Sequence, residues 1–418
     1  MKETKTPSTQ PYKGTRDFYP EEFAKRQYLF DVWTKVCQRY GYEQYDTPIL
    51  EPLELYASKT SEEIVGKESF VFTDRGGREV MLRPEMTPSL ARIIAGKRQE
   101  LGYPLRLFVI PSCYRYERPQ KGRWREFWQL NADIFGSADP NSDAEIIMLA
   151  DSILKELGAK PEMYDIQISD RRFLDWLLQE KLNLSSENAL QAIRLIDKKS
   201  KISKEDFNSG LQEISVNQDG LSLVNQILEV GKLDELPEDA KTEDWYQYLE
   251  AAFEVLDSAG VKFNFNPQIA RGFDYYTGFV FEVFDTDPTN NRAMFGGGRY
   301  DGLVAKFGVN PIPVVGFGMG DSVVWEMLDA NNLWPALPPA TEAMLIPLNL
   351  SSVGKANMFA AELRKQGQNI AIDFDVQRKL EKRIRAAQKL RIPKIGIIGD
   401  NESSFKDIKF KELNNGYR

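Results

Sequence analysis

The segment SCYRYERPQKGRWREFWQLNADIFG, residues 112–136, constrains the fold more than any other part of the chain. Its pattern predicts two strands joined by a basic loop, RPQKGR. Because successive side chains of a strand point to opposite faces, Leu130, Ala132 and Ile134 share one face, which is expected to be core. The sequence therefore predicts a sheet with one face buried.

The other faces of these two strands carry an unusual set of side chains. Arg115 and Glu117 share a face of the first strand, and the second strand presents a row of five, Arg125, Phe127, Gln129, Asn131 and Asp133. A solvated face would be richer in Lys, Glu and Thr. Two interpretations stay open here: a site where arginine meets phosphate and the ring stacks on a base, or an exposed face with cross-strand ion pairs.

Composition excludes several kinds of chemistry. The chain has no histidine, which rules out a Ser-His-Asp triad, a Cys-His pair, imidazole metal ligands and a histidine general base. Its two cysteines, Cys37 and Cys113, are too few for a disulfide framework or a cysteine-rich zinc site. Any catalysis must therefore use carboxylates, guanidinium groups, ammonium groups and hydroxyls.

The 418 residues are too many for one core and predict two or three domains. In the first part we expect a disordered arm (1–12), a long helix (21–41), a proline-broken strand (45–56) and a hairpin (69–84). These are followed by a helix (87–100), a strand (105–110) and a core helix (143–158). Residues 170–256 are expected to form a mainly helical insertion, after which strands return at 261–265, 279–284 and 314–320.

A proline-bearing linker at 331–341 precedes strands at 343–348, 369–375 and 394–400 that alternate with helices at 355–367 and 377–391. This alternation predicts a small α/β domain with a largely parallel sheet. Residues 341–418 hold 15 Lys+Arg and 9 Asp+Glu, a balance of +6, which leaves −14 on the rest of the chain. The basic balance suggests a polyanionic partner, with a solvated basic face as the alternative.

The sequence shows neither a membrane-spanning segment nor a signal peptide. No apolar run approaches the roughly 18 residues of a membrane span. The polar start, MKETKTPSTQ, lacks the apolar core of a signal peptide. We therefore expect a cytoplasmic protein.

Three further segments carry candidate site residues. In IARGFDYYTGFVFEV, Arg271 is suited to clamp a carboxylate or a phosphate, or to form a structural pair with Asp274. In FGGGRYDGL, three glycines allow a close backbone approach or a sharp turn. In VVGFGMGDSVVWEML, a glycine-rich strand that leaves room for a flat ligand enters a helix capped by Asp321 or Ser322.

Taken in order, these segments resemble the histidyl-tRNA synthetase family of class II aminoacyl-tRNA synthetases. RYERPQKGR with FWQLNADIFG resembles class II motif 2, RGFDYYTG the histidine-specific signature, and GGGRYDGL the second family signature. LRPEMTP resembles the Arg-Pro-Glu-x-Thr element, and residues 21–56 resemble the dimer-forming motif 1. The resemblance begins at KGTRDFYPEE and covers nearly the whole chain.

The resemblance implies the fold and the domains. It implies an α+β and α/β multidomain protein with a class II antiparallel sheet flanked by helices, a helical insertion and a C-terminal α/β anticodon-binding domain. The implied boundaries are 1–169 with 257–330 for the catalytic domain, 170–256 for the insertion, 331–341 for the linker and 342–418 for the C-terminal domain.

The resemblance also implies the activity, which is ATP-dependent activation of L-histidine and its transfer to the 3′ end of tRNA(His). Mg²⁺ is expected as a cofactor, without a protein-bound transition metal, in a homodimer formed through residues 21–56. The implied roles are catalysis by Arg115 and Arg271, histidine binding by Glu85, Thr87, Gln129, Asp133, Tyr275 and Tyr276, ATP binding by Arg115, Glu117, Arg123, Phe127 and Arg271, and contact with the tRNA acceptor end by Gln120 and Lys121.

Three departures from the family pattern bear on function. Val323 stands where motif 3 usually has an arginine, and the lost cation–π contact is of order 0.5–2 kcal/mol, which would weaken ATP binding. Asp133 replaces the glutamate that faces the imidazole, and the chain ends at Arg418, from which we expect weaker anticodon recognition. The alternative functions are a catalytically weak or inactive, histidine-binding regulatory subunit of histidine biosynthesis, a tRNA-binding module, and a sibling class II synthetase.

Overall fold

A computed structural model describes residues 8–57, 68–120, 122–270, 275–287 and 293–413. The chain divides into two compact units: the first holds the described residues of 1–17 and 26–334, and the second those of 18–25 and 335–418. Among the helices within these ranges, none has the length and apolar character that crossing a membrane requires.

The first unit is built on a mixed sheet of nine strands, with a separate sheet of three. The strands run in chain order as β1 (Glu43–Gln44), β2 (Leu50–Pro52), β3 (Val71–Thr73), β4 (Glu79–Leu82), β5 (Leu105–Val109), β6 (Ser112–Tyr114), β7 (Glu126–Phe135), β8 (Tyr164–Asp170), β9 (Asn264–Phe265), β10 (Phe279–Asp285), β11 (Ala293–Arg299) and β12 (Val314–Gly320). The large sheet has the order β1-β5-β7-β12-β11-β10-β8-β9, with β6 paired to β7, and the small sheet has the order β2-β4-β3. In the large sheet β1 with β5 and β8 with β9 are parallel pairs, and the other pairs are antiparallel.

Helices flank this sheet. They are α1 (Pro20–Arg39), α2 (Leu53–Ala57), α3 (Thr87–Lys97), α4 (Pro140–Glu156), α5 (Arg171–Asp175), α6 (Ser186–Lys198), α7 (Lys204–Glu213), α8 (Gln218–Leu228), α9 (Glu238–Lys241), α10 (Asp244–Ser258) and α11 (Asp321–Ala330), with a π-helix at Trp176–Lys181. Leu130, Ala132 and Ile134 of β7 are buried in the same core as α4, as the alternation predicts. The sheet with its flanking helices confirms the predicted fold class, whereas the domain boundaries stay a prediction.

The second unit contains a small sheet of the order β14-β13-β15-β16. Its elements are β13 (Ala343–Pro347), α12 (Ser352–Lys365), β14 (Ile370–Ile372), α13 (Leu380–Lys389), β15 (Lys394–Ile398) and β16 (Phe410–Glu412). Strands β14, β13 and β15 are parallel, which confirms the predicted α/β unit. The antiparallel edge strand β16 was not predicted, because its three residues are all exposed and show no alternation.

Four sequence predictions need correction. The strand expected at 45–56 is reduced to β2, and the chain turns into α2 at Leu53, because Pro52 has no N–H with which to continue the ladder. The strand expected at 112–117 ends at Tyr114. The N-cap of α11, expected to be Asp321 or Ser322, is Gly320, and the helix begins at Asp321. The arm expected to be disordered is ordered at Tyr12, which contacts Arg125; residues 1–7 lie outside the described ranges.

The glycine run at 296–298 forms part of strand β11 and not a turn. A Cβ atom on Gly297 would overlap the backbone oxygen of Gly316 on the neighbouring strand. One on Gly298 would lie 2.5 Å from the backbone oxygen of Phe279. The glycines therefore allow three strands to approach closely, a constraint from tertiary packing that glycine's weak strand propensity conceals.

Candidate active site

The polar row of β7 faces a row of glycines on β12. In this register Asn131 lies opposite Gly318 and Asp133 lies opposite Gly316. A Cβ atom on Gly316 would overlap the carboxylate of Asp133, and one on Gly318 would overlap the amide of Gln129. The glycines therefore leave the space that the polar side chains occupy.

A cavity of about 150 Å³ lies above this part of the sheet. It is lined by Glu85, Thr87, Arg115, Gln129, Asn131, Asp133, Tyr275, Tyr276, Gly296, Tyr300, Gly316, Phe317 and Gly318. The structure thus brings together all of the residues predicted to bind histidine, with Arg115 beside them. Their individual roles remain predictions.

Asp133 is the carboxylate at the inner wall of this cavity, and only 3% of its surface is exposed. Tyr300 donates a hydrogen bond to its Oδ1. Its Oδ2 is buried and has no hydrogen-bond partner among the described residues. Burial raises the pKa of Asp133 to about 7, against the smaller lowering effect of the Tyr300 bond. A ligand that donates a hydrogen bond would satisfy Oδ2.

Three tyrosines form an aromatic wall next to Asp133. The ring centroids of Tyr275 and Tyr276 are 4.9 Å apart, and the Tyr300 ring lies edge-on to both, at 5.7 Å and 6.5 Å. Such a wall offers flat apolar surface with hydroxyl groups at its edges, which suits a small aromatic ring that also carries polar atoms.

Arg115 supplies positive charge to the lining of the cavity. Its Nε donates to the carbonyl oxygen of Pro84 at 3.0 Å, which orients the guanidinium. Its Nη1 lies 3.9 Å from Oε1 of Glu117, whose Oε2 accepts from Nη1 of Arg123 at 3.1 Å. The guanidinium carbon is 5.3 Å from the ring centroid of Phe127. Glu117 and Phe127 therefore contact Arg115 without lining the cavity.

A larger cleft of about 1070 Å³ is lined by two further predicted contacts, Arg123 for phosphate and Gln120 for tRNA. Gln120, Gly122 and Arg123 line it together with Val323, so the position of the missing motif 3 arginine opens into this cleft. Lys201 adds a second basic group, whereas Asp197, Glu282, Asp285, Asp287 and Glu326 make much of the lining acidic.

The structure does not describe every residue that the sequence singles out. Arg271 and Lys121 lie outside the described residues, as does Asp274. Arg125, expected on one face with Phe127, has its guanidinium carbon 4.0 Å from the ring centroid of Tyr116. Strand β7 begins at Glu126, although the carbonyl oxygen of Arg125 still accepts the backbone N–H of Arg115. The shared face of Arg125 and Phe127 stays a prediction.

Tyr300 is the main site residue that sequence reasoning missed. It directly follows β11, and because the glycine run predicts a close backbone approach or a sharp turn and no strand, the alignment of Tyr300 with Asp133 was missed. Placing FGGGR on a strand would have revealed it.

Within the described ranges, neither cysteine is ionised at neutral pH, and no cluster of metal ligands is present. Burial raises the pKa of Cys37 and of Cys113 to about 12, so neither is a thiolate at neutral pH. In the same ranges, no three carboxylate or thiol groups are placed to hold a metal ion together.

The sheet is mainly antiparallel, and it carries arginine, carboxylate and aromatic side chains beside Gly316 and Gly318 of β12, here called the glycine floor. This is the architecture of a class II aminoacyl-tRNA synthetase. The fold is similar to that of histidyl-tRNA synthetase from Nostoc sp. PCC 7120, with a TM-score of 0.82, 23% identity, and coverage of 98% of this chain and 96% of that one. It is also similar to an ATP phosphoribosyltransferase regulatory subunit/histidyl-tRNA synthetase from Bacillus halodurans C, with a TM-score of 0.77, 23% identity, and coverage of 95% and 100%.

Sequence comparisons narrow this class to one family. A family model described as histidyl-tRNA synthetase matches residues 14–321, and one described as an anticodon binding domain matches residues 342–418. A histidine–tRNA ligase of Leptospira biflexa is 40% identical, over 99% of this chain and 95% of that protein, and one of Haloarcula marismortui is 35% identical, over 97% and 93%. The chain belongs to the histidyl-tRNA synthetase family.

Proposed function

We infer that this protein is a histidine–tRNA ligase, which activates L-histidine with ATP and transfers it to the 3′ end of tRNA(His). The observation that supports the inference is the cavity lined by both Arg115 and Asp133, the Oδ2 of which has no hydrogen-bond partner among the described residues. Similarity to curated histidine–tRNA ligases over 97–99% of the chain supports the same activity.

The reaction needs no titrating base. The carboxylate of histidine, ionised at neutral pH, attacks the α-phosphorus of ATP, a new C–O–P linkage forms, and the bond to pyrophosphate breaks. In the second step a ribose hydroxyl of the tRNA attacks the carbonyl carbon, AMP leaves, and its phosphate takes the hydroxyl proton. Positioning and neutralisation of charge lower the barrier, so a chain without histidine can catalyse both steps.

We propose that the cavity binds histidine. Glu85, Thr87 and Gln129 would hold the α-amino group, while Asp133, Tyr275 and Tyr276 would face the imidazole. A site that bonds both ring nitrogens rejects analogues without them by up to about 10⁴–10⁵-fold, because buried polar groups would be left unpaired.

We propose that ATP extends from the cavity towards the larger cleft. Arg115 would contact the α-phosphate, Phe127 would stack on adenine, Glu117 would support the nucleotide and Arg123 would reach the distal phosphates. Mg²⁺ would arrive with ATP and neutralise phosphate charge. Arg271 would neutralise the reacting carboxylate and α-phosphate, and Gln120 and Lys121 would contact the acceptor end of the tRNA.

We further propose a cytoplasmic homodimer. Support for a second copy comes from the sheet β2-β4-β3, where Leu50, Val71 and Phe72 expose 45%, 40% and 47% of their surfaces. Leu50 lies within the predicted dimer segment, residues 21–56. Residues 341–418, with their balance of +6, would contact the anticodon arm.

The test is ATP–pyrophosphate exchange in the presence of single amino acids. We expect exchange with L-histidine and none above background with the other amino acids. A folded protein that binds histidine without exchange would contradict the inference and select the regulatory-subunit alternative, which the curated relatives do not favour.

A further inference from the structure

Residues 8–17, here called the N-terminal arm, pack against the loop that carries the proposed nucleotide contacts. This loop, called the substrate loop, comprises residues 115–120 and 122–125 and connects β6 to β7. The sequence predicts disorder up to residue 12 and gives no contacts for residues 13–17, so the contacts of the arm with the substrate loop are a structural finding.

The first contact joins the arm to Arg125 at the end of the loop. The backbone N–H of Arg125 donates to the carbonyl oxygen of Gly14 at 2.7 Å, and its Nη1 donates to the hydroxyl of Tyr12 at 3.0 Å. Gly14 has a φ of +90°, and a Cβ atom there would lie 2.8 Å from Cγ of Arg125 and 2.8 Å from Cγ of Pro119. The approach therefore requires glycine.

The second contact joins the arm to the first residue of α11. Nη2 of Arg16 donates to Oδ2 of Asp321 at 2.7 Å, and Asp321 is fully buried. Oδ1 of Asp321 accepts the backbone N–H of Trp128 at 3.1 Å and the hydroxyl of Ser322 at 3.0 Å. One carboxylate thus connects the arm with β7 and with the first turn of α11.

Arg125 transmits this anchoring to the other end of the loop. Its carbonyl oxygen accepts the backbone N–H of Arg115 at 2.9 Å, and its Nε donates to the carbonyl oxygen of Glu117 at 3.1 Å. Arg115 lines the cavity, and Arg123 lines the larger cleft. Holding the two ends of the loop therefore limits where both guanidinium groups can lie, while the carbonyl oxygen of Pro84 also orients that of Arg115.

We propose that the N-terminal arm positions the substrate loop for the nucleotide, and that Arg16 is a positioning residue acting through Asp321. This inference rests on the proposed function. Its effect should be larger for the nucleotide than for histidine, because Asp133 is held by pairing of β7 with β12, whereas the arm reaches β7 only through Asp321 and Trp128.

The experiment measures KM for ATP, KM for histidine and kcat in pyrophosphate exchange, using the full chain. In Arg16→Gln and in Gly14→Ala we expect KM for ATP to rise about tenfold, equivalent to about 1.4 kcal/mol, with KM for histidine changed less than about twofold. Arg16→Lys should recover most of the loss, because it restores the charge beside Asp321. Gly14→Ala disturbs the arm while leaving the Arg16–Asp321 pair intact.

The matched control is Arg106→Gln, which breaks the pair of Arg106 with Glu145 at 2.7 Å, between β5 and α4. Amide hydrogen exchange of residues 115–125 is the readout that does not depend on activity, and it should accelerate in Arg16→Gln but not in Arg106→Gln. If KM for ATP and amide exchange were both unchanged in Arg16→Gln, the positioning role of the arm would be overturned while the proposed function would stand. The same would follow if Arg16→Gln and Arg106→Gln raised KM for ATP equally. Absence of histidine-dependent ATP–pyrophosphate exchange in the wild type would instead overturn the proposed function.

Discussion

At the scale of single residues, the site depends on two side chains that complement each other in charge and burial. Arg115 contributes fixed positive charge to the lining of the cavity, and Asp133 contributes a carboxyl group whose Oδ2 has no partner among the described residues. Burying such a group without a partner costs free energy of order 1–3 kcal/mol. That cost is recovered when a ligand donates a hydrogen bond to Oδ2, so the folded protein is prepared for a donor.

The raised pKa of Asp133 predicts a dependence of stability on pH. In the folded protein the pKa is about 7, whereas an unfolded aspartate titrates near 4. The unfolded chain therefore releases this proton first as the pH rises, and the folded state loses stability between about pH 4 and pH 7. We expect the free energy of unfolding of the wild type to fall by about 4 kcal/mol relative to Asp133→Asn across this interval.

Urea unfolding of both proteins at several pH values checks this expectation. Asparagine retains an oxygen to accept the hydrogen bond from Tyr300 and does not titrate. A stability difference between the two proteins that stays constant with pH would show that Asp133 is not buried as described.

A second residue prediction concerns Gly316. In Gly316→Ala the added methyl group would overlap the carboxylate of Asp133, so we expect the affinity for histidine, measured by calorimetry, to fall at least about tenfold. Gly96→Ala on α3 is the matched control, because a Cβ atom there meets nothing within 4 Å. Equal affinities in the two variants would contradict the role of the glycine floor.

At the scale of secondary structure, prediction succeeded where local pattern and burial agree. Strand β7 was recognisable because its apolar residues alternate with the polar row. Strand β11 was not, because its glycines are explained only by the closeness of the neighbouring strands. The contacts of the N-terminal arm were also beyond sequence reasoning, since they join Tyr12 to Arg125, 113 positions away, and Arg16 to Asp321, 305 positions away.

The small sheet β2-β4-β3 leads to a prediction at this scale. Its exposed Leu50 and Phe72 are expected to be covered by a second copy, so light scattering at micromolar concentration should report a dimer. The double variant Leu50→Asp with Phe72→Asp should be largely monomeric, because it places charge in an apolar interface. Leu390→Asp alters an apolar residue of the second unit that is 61% exposed and should leave the dimer intact. A monomeric wild type would contradict the proposal.

At the scale of the whole molecule, charge is distributed unevenly along the chain. Residues 341–418 carry a balance of +6 within a protein of net charge −8. Uneven charge of this kind can guide a polyanion towards one part of a protein, although it says nothing about base sequence.

Salt titration of tRNA binding tests this distribution. Lys and Arg displace counterions from the RNA, so we expect the logarithm of the association constant to fall linearly with the logarithm of salt concentration, by about 0.7 to 0.9 per phosphate contact. Binding that is insensitive to salt would count against a surface that contacts phosphates.

The most direct test of the account is transfer of labelled histidine to tRNA(His) with ATP and Mg²⁺, measured as acid-precipitable label. The account predicts transfer by the wild type and a loss of at least about 10²-fold in Arg115→Ala, which removes the positive charge from the developing phosphate charge without touching Asp133. Full transfer by Arg115→Ala, or none by a folded wild type that binds histidine, would contradict the claim that fixed positive charge on an oriented sheet drives this chemistry.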